Sequence, residues 1–329
     1  MAQNVTQDPT DPSPQAPTGP PTPAQTRAAD RTALRTAGII GGLIAALLLG
    51  FTLGRTAAVP AAAPASLPDD HPHALGAPSH GHGGTAGVNG EAVVGGVAVG
   101  MAATAVGFRM APASTELPAG RDATFRFQIR GAAGAPVTSF VTVHEKPLHL
   151  IVVRRDLTGY QHLHPTMAAD GTWSVPLRLP QPGVWHAYAD FTATDPAGQQ
   201  VPLTLGVDIT AAGAYRPEPL PAPTNAVAID GYQVSQEGTP RAGTIQPLRF
   251  RVTRAGSPAF LDRYLGAYGH LVVIRENDLG YVHVHADVTM AADSVQFWLS
   301  PPSPGRYRMF LDFQTGGKVR TAAFTLVVG

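Results

Sequence analysis

The segment HLIVVRRDLTGYQHLHP, His149 to Pro165, recurs as HLVVIRENDLGYVHVHA, His270 to Ala286. His149, Leu150, Val152, Arg154, Gly159, Tyr160, His162 and His164 meet identical residues at His270, Leu271, Val273, Arg275, Gly280, Tyr281, His283 and His285. A repeat of this kind sets the architecture before any single motif does, because each copy is one structural unit of the same kind. Upstream, FRFQIR at Phe125–Arg130 followed by Pro136 parallels LRFRVTR at Leu248–Arg254 followed by Pro258. Downstream, Pro182-Gly183 and Ala189-Asp190-Phe191 parallel Pro304-Gly305 and Leu311-Asp312-Phe313. One unit therefore spans about 92–211 and the other 225–329. Between them, 212–224 carries Pro217, Pro219, Pro221 and Pro223, which predicts a semi-rigid joint.

Within each unit the hydrophobic period is two. Trp185, Ala187, Ala189 and Phe191 share one strand face, and His186, Tyr188 and Asp190 share the other. Tyr307, Met309, Leu311 and Phe313 repeat that apolar face. Leu150–Val153 and Leu271–Ile274 are apolar on both sides, as a central strand would be. Turn residues punctuate the first copy at 131–134, Asp170-Gly171, Pro182-Gly183 and 196–198. No soluble stretch shows sustained helical spacing. The expectation is an all-β fold of two tandem immunoglobulin-like antiparallel β-sandwich modules.

Ahead of the repeats, Ala37 to Leu53 (AGIIGGLIAALLLGFTL) carries no charge and is flanked by Arg35 and Arg55. This is at the short end of a membrane-spanning helix, which 36–54 is expected to form. Arg27, Arg31 and Arg35 precede it and only Arg55 directly follows. The positive-inside bias places residues 1–35, a Pro/Thr/Gln-rich disordered tail, in the cytoplasm and the repeats outside. A cleaved signal peptide is the alternative, with small residues at Ala57 to Ala63, although its charged front would be unusually long. Residues 55–91 form a second disordered linker holding His71, His73, His80 and His82 beside Asp69 and Asp70. That linker is a solvated spacer or a loose metal-collecting tract.

Lys and Arg number 23 against 23 Asp and Glu, so no basic field exists to hold nucleic acid. Cysteine is absent, which excludes disulfides, thiolate metal sites and cysteine nucleophiles. There is no G-x-S-x-G elbow, phosphate loop or H-E-x-x-H helix, and a non-enzyme is expected.

Eight of the 12 histidines lie in the repeats. Alternate residues of a strand share a face, so His162 and His164 project together about 6.6 Å apart at the backbone, as do His283 and His285. The preceding strand carries His149 or His270 and brings a third imidazole to each pair. Three converging imidazoles would suit copper or zinc. The first unit has further candidates in His144 and His186, and Met167 or Met290 could add a thioether. The competing reading is a structural hydrogen-bond network that includes Tyr160 and Tyr281. Asp190 and Asp312 are expected to pair with Arg154 and Arg275.

At these residues the chain resembles a family of actinobacterial envelope proteins through YLGAYGHLVVIRENDLGYVHVH, Tyr264 to His285. EKPLHLIVVRRDLTGYQHLHP, Glu145 to Pro165, is similar to segments of secreted, often copper-associated immunoglobulin-like domains of the YtkA-like type. Ala286 departs from that pattern, standing where Pro165 stands in the first copy. The resemblance implies a membrane-tethered extracytoplasmic binding protein for copper or another divalent metal. Its alternative is a structural or interaction protein of the envelope.

Overall fold

The computed structural model describes residues 93–94, 97–195 and 197–329. The expected tail, membrane helix and linker up to 91 lie outside them. Among the described residues no helix is long and apolar enough to cross a membrane.

The described chain is all-β. The first repeat contributes β1 (Phe108–Pro112), β2 (Asp122–Arg130), β3 (Leu148–Arg154), β4 (Gln161–Leu163), β5 (Thr172–Arg178), β6 (Gly183–Thr194) and β7 (Gln200–Ala211). The second contributes β8 (Tyr232–Glu237), β9 (Gln246–Arg254), β10 (His270–Arg275), β11 (Tyr281–Val282), β12 (Val284–Ala286), β13 (Ser294–Leu299), β14 (Gly305–Thr315) and β15 (Lys318–Val328). They form four antiparallel sheets, in the orders β5-β2-β1, β7-β6-β3-β4, β8-β9-β13-β12 and β11-β10-β14-β15, extended by short edge strands.

Alternation assigns the faces. Phe125, Phe127 and Ile129 of β2 pack on Leu148, Leu150 and Val152 of β3 and on Trp185, Ala187 and Ala189 of β6, closing one core. Phe250 and Val252 of β9, Leu271 and Val273 of β10, and Tyr307, Met309 and Leu311 of β14 close a second. The residues between these also are buried, in a third cluster that joins the repeats. Ile151, Val153, Leu157 and Tyr188 meet Val272, Ile274, Leu279, Tyr281 and Phe310 there. The sheets of β3 and β10 thus pack back to back, which is why their apolar runs lack a polar face. Each side chain buried there contributes about 1.5–3 kcal/mol, so the repeats share a core.

The packing is pseudo-symmetric. Tyr160 stacks on Phe310 with ring centroids 4.0 Å apart, while Tyr281 lies against Tyr188 at 5.6 Å. Tyr188 also donates its hydroxyl to the Leu279 carbonyl at 2.7 Å. Gly159, in the motif between β3 and β4, has φ +67, and a Cβ there would lie 2.3 Å from the Trp185 ring.

The joint is docked as well as proline-stiffened. Leu220 packs on the third cluster, Arg306 donates to the Leu220 and Pro221 carbonyls, and the Glu218 amide donates to Asp156. On the other side Val99 and Met101 pack on the same cluster. Val99 accepts from the Tyr281 amide at 2.9 Å. Gly206 admits this segment, since a Cβ there would lie 1.8 Å from the Gly100 carbonyl oxygen.

Candidate metal centre between the repeats

Residues of β3 and β10 that point away from their own cores run His149-Ile151-Val153 and His270-Val272-Ile274. Back-to-back packing of Ile151 and Val153 on Val272 and Ile274 brings the leading histidines together. The His149 and His270 rings stack with centroids 5.3 Å apart and planes 12° apart. β4 pairs with β3 in the register Ile151↔His162, so His162 is a diagonal neighbour of His149. His164, just past β4, has its ring 5.1 Å from His149 and 4.8 Å from His162. His144 enters from a turn with φ +49 and sits 5.6 Å from His270.

One nitrogen each from His149, His162 and His270 lies within 4.8 Å of the other two. Bound at ~2.0–2.1 Å, an ion holds its ligands at most ~4.2 Å apart, so the trio needs only a small contraction. His149 Nδ1 is 3.0 Å from His162 Nε2. Their outer nitrogens face acceptors: His149 Nε2 the Val143 carbonyl at 3.1 Å, His162 Nδ1 the Asp312 carboxylate at 2.9 Å. Those acceptors assign one proton to each outer nitrogen. The inner pair then needs one proton, or one cation, between two lone pairs. His270 Nδ1 and His164 Nε2 are buried with no hydrogen-bond partner.

Burial dominates the electrostatics. It lowers His149 to about 4, assisted by the charge of His162. It lowers His164 to about 3, assisted by His162, His149 and Lys146. His270 is pushed well below the usual imidazole range by burial and then by His162 and His149. These three therefore offer neutral nitrogens at neutral pH, the form that ligates metal.

Two carboxylates flank the cluster at equivalent strand positions. Asp190 is the cross-strand partner of His149, and Asp312 that of His270. Asp312 accepts from His162, from Tyr160 at 2.9 Å and from Thr321 at 2.5 Å; Asp190 accepts from Thr204 at 2.9 Å. The expected ion pairs are therefore not made. Arg154, 2% exposed, pairs instead with Asp156 and Glu218, and Arg275 with Asp278, because both arginines sit at strand ends beside those loop carboxylates.

The other candidates stand apart. Both nitrogens of His186 are engaged, Nδ1 with Asp208 and Nε2 with the Gly100 carbonyl, each at 2.8 Å. His283 and His285 are exposed, their rings 5.1 Å from each other. The second repeat leaves the sheet early: β11 ends at Val282, and β12 joins β13 in the opposite sheet. His283 therefore lacks the sheet position of His162. Met167 packs on the first core, where it also borders a cleft with His164, and Met290 packs on the second. The trio draws its histidines from both repeats, where the sequence reading grouped three within each. Asp312, Tyr160 and Val143 join as partners, and the one sequence signal for this was the doubly apolar character of β3 and β10.

Two openings reach the cluster. A cleft of about 470 Å³ is lined by Phe140, Lys146, His164, Thr166, Met167 and Trp173 among others. A smaller one of about 210 Å³ is lined by His162, Tyr160, Tyr264, Asp312 and Thr321 among others.

Among solved structures, the chain is similar to the Escherichia coli adhesin FdeC at 15% identity, covering 68% of this chain and 64% of that one, with a TM-score of 0.22. It is similar to Escherichia coli alpha-2-macroglobulin activated by porcine elastase at 14% identity, covering 67% and 20%, with a TM-score of 0.23. For domains 4 and 5 of the S-layer protein SbsC the values are 10%, 67%, 96% and 0.20. The chain thus spans less than two thirds of the first two proteins' lengths. No curated protein matches it. One family model matches twice, over 103–213 and 226–329, and no match supports the expected YtkA-like type. On those two matches, which together cover more than half of the sequence, the chain belongs to the family described as Domain of unknown function (DUF8832).

Proposed function

We propose that this is a non-catalytic binding protein of the cell envelope that holds a divalent transition-metal ion, copper or zinc, between His149, His162 and His270. The carrying observation is the facing pair of inner nitrogens on His149 and His162, 3.0 Å apart, with the unpartnered His270 Nδ1 beside them. Imidazole suits both ions. His162 would be oriented by Asp312, the carboxylate–histidine arrangement common around metal ligands. Asp190 and Asp312, each the cross-strand partner of a trio histidine, would offset a charge of +2. Tandem immunoglobulin-like modules, tethered outside the membrane by residues 36–54, complete this reading.

A second reading is favoured by a specific observation. The chain Val143–His149–His162–Asp312 is a continuous hydrogen-bonded line once a single proton occupies the inner pair. In that case the cluster is a structural network that fixes how the repeats dock. Elemental analysis of the purified full chain, with His162→Ala and His270→Ala beside it, decides between them. Metal binding gives one copper or zinc per chain, lost in both variants. A metal-free parent after incubation with either ion leaves the structural network.

A further inference from the structure

The trio is buried, yet an ion must reach it, and the two openings differ in what they present. At the smaller one the groups around Asp312 are committed to it: His162 Nδ1, Tyr160 and Thr321 all bond its carboxylate, and no histidine nitrogen there is left without a partner. The larger cleft is bordered by His164, whose ring touches both His149 and His162 and whose Nε2 has no partner. Trp173, 1% exposed, lines the same cleft, and its Nε1–H has no acceptor. Phe140 packs edge-on against it with centroids 5.1 Å apart. Its volume, within the usual range for small-molecule sites, leaves room for a metal complex of one or two amino acids.

We propose that His164 is the transfer ligand of this centre, receiving the ion in the larger cleft from a small chelate that carries oxygen donors and passing it to His149 and His162. This rests on the metal-binding reading above. The cleft supplies an aromatic wall for the body of the chelate. The Trp173 N–H and the Lys146 ammonium are donors for its carboxylate oxygens. Transfer is a ligand exchange: the His164 nitrogen displaces one chelate donor, and the trio then displaces His164. No electron moves, and the carboxylate leaves as its anion. His164 lies outside the 4.8 Å set, which suits a ligand that hands over rather than holds.

The test uses the full chain and copper(II) presented as its bis-histidine complex, with loading followed by stopped-flow absorbance and stoichiometry by elemental analysis. His164→Ala should retain one ion per chain while loading at least tenfold more slowly. Thr166→Tyr, which fills the cleft from an exposed position, should slow loading similarly without removing any histidine. Loading of both variants at the parent rate overturns the route. Loss of the ion from His164→Ala overturns the transfer role and makes His164 a holding ligand. A parent that takes up no copper from either the complex or the free ion overturns the metal-binding reading as well. A parent that loads only from free copper overturns this proposal alone.

Discussion

Lowering the pH from 7.5 to 4.5 in the presence of a chelator should destabilise the folded chain well before its carboxylates titrate. His149 is held at about 4, against ~6.5 for an unfolded histidine. The folded value is the lower one, so the unfolded chain binds more protons. The stabilisation is complete above ~6.5 and is lost as the pH falls towards 4. Linkage between pH 7.5 and 4.5 gives a loss of roughly 2.5 kcal/mol for His149 alone. His270, pushed well below the usual imidazole range by burial, adds a loss of the same sign over the same window. The His149 loss alone is a large fraction of the roughly 5–15 kcal/mol by which domains are stable, and His164, held at about 3, adds to it. Asp156, Asp208 and Asp278 are held below the usual carboxylate range by their hydrogen bonds despite burial, so their contributions are lost at lower pH and do not blur the window. Urea denaturation at pH 7.5, 6.0 and 4.5 measures the slope, which near pH 5 should correspond to at least two protons taken up on unfolding, from His149, His164 and His270. His270→Leu should reduce that slope by about one proton. A stability constant within ~1 kcal/mol across the range would refute the burial of neutral histidines between the repeats.

Other expectations follow from single contacts. Asp312→Leu strands His162, Tyr160 and Thr321 without their acceptor and should cost about 1–3 kcal/mol in urea melts. Gly206→Ala places a Cβ 1.8 Å from the Gly100 oxygen and 2.3 Å from His186 Nε2, so early proteolytic cutting near 97–102 should appear at native pH. Copper or zinc at ~100 times its dissociation constant should add ~2.7 kcal/mol at pH 7.5, fading only as the pH falls towards 4 and absent in His162→Ala. Limited proteolysis should leave one resistant fragment spanning both repeats, because their outer faces share a core; cleavage at 213–225 into two stable pieces would contradict this.

Local pattern carried much of the fold. Period-two alternation at Trp185–Phe191 and Tyr307–Phe313 names the inward faces, because a strand places alternate side chains on opposite sides wherever it lies. The repeat likewise marks where two similar sheet pairs recur, and the H-x-H spacing puts His162 and His164 on one side of β4. Sequence alone could not say which imidazoles meet. His149 and His270 are far apart along the chain and come together only because Ile151 and Val153 pack against Val272 and Ile274. Nor could it say that β11 ends at Val282, leaving His283 outside while its counterpart His162 becomes central. Identical residues at matched positions acquire different roles because hydrogen-bond register and burial belong to the assembled sheets. The charge partners show the same division: Arg154 and Arg275 recur with Asp190 and Asp312, yet each arginine takes the nearest loop carboxylate. Sequence supplied the candidate histidines and their strand faces. The back-to-back packing of two sheets, driven by burial of their apolar outer faces, decided which nitrogens point into one space.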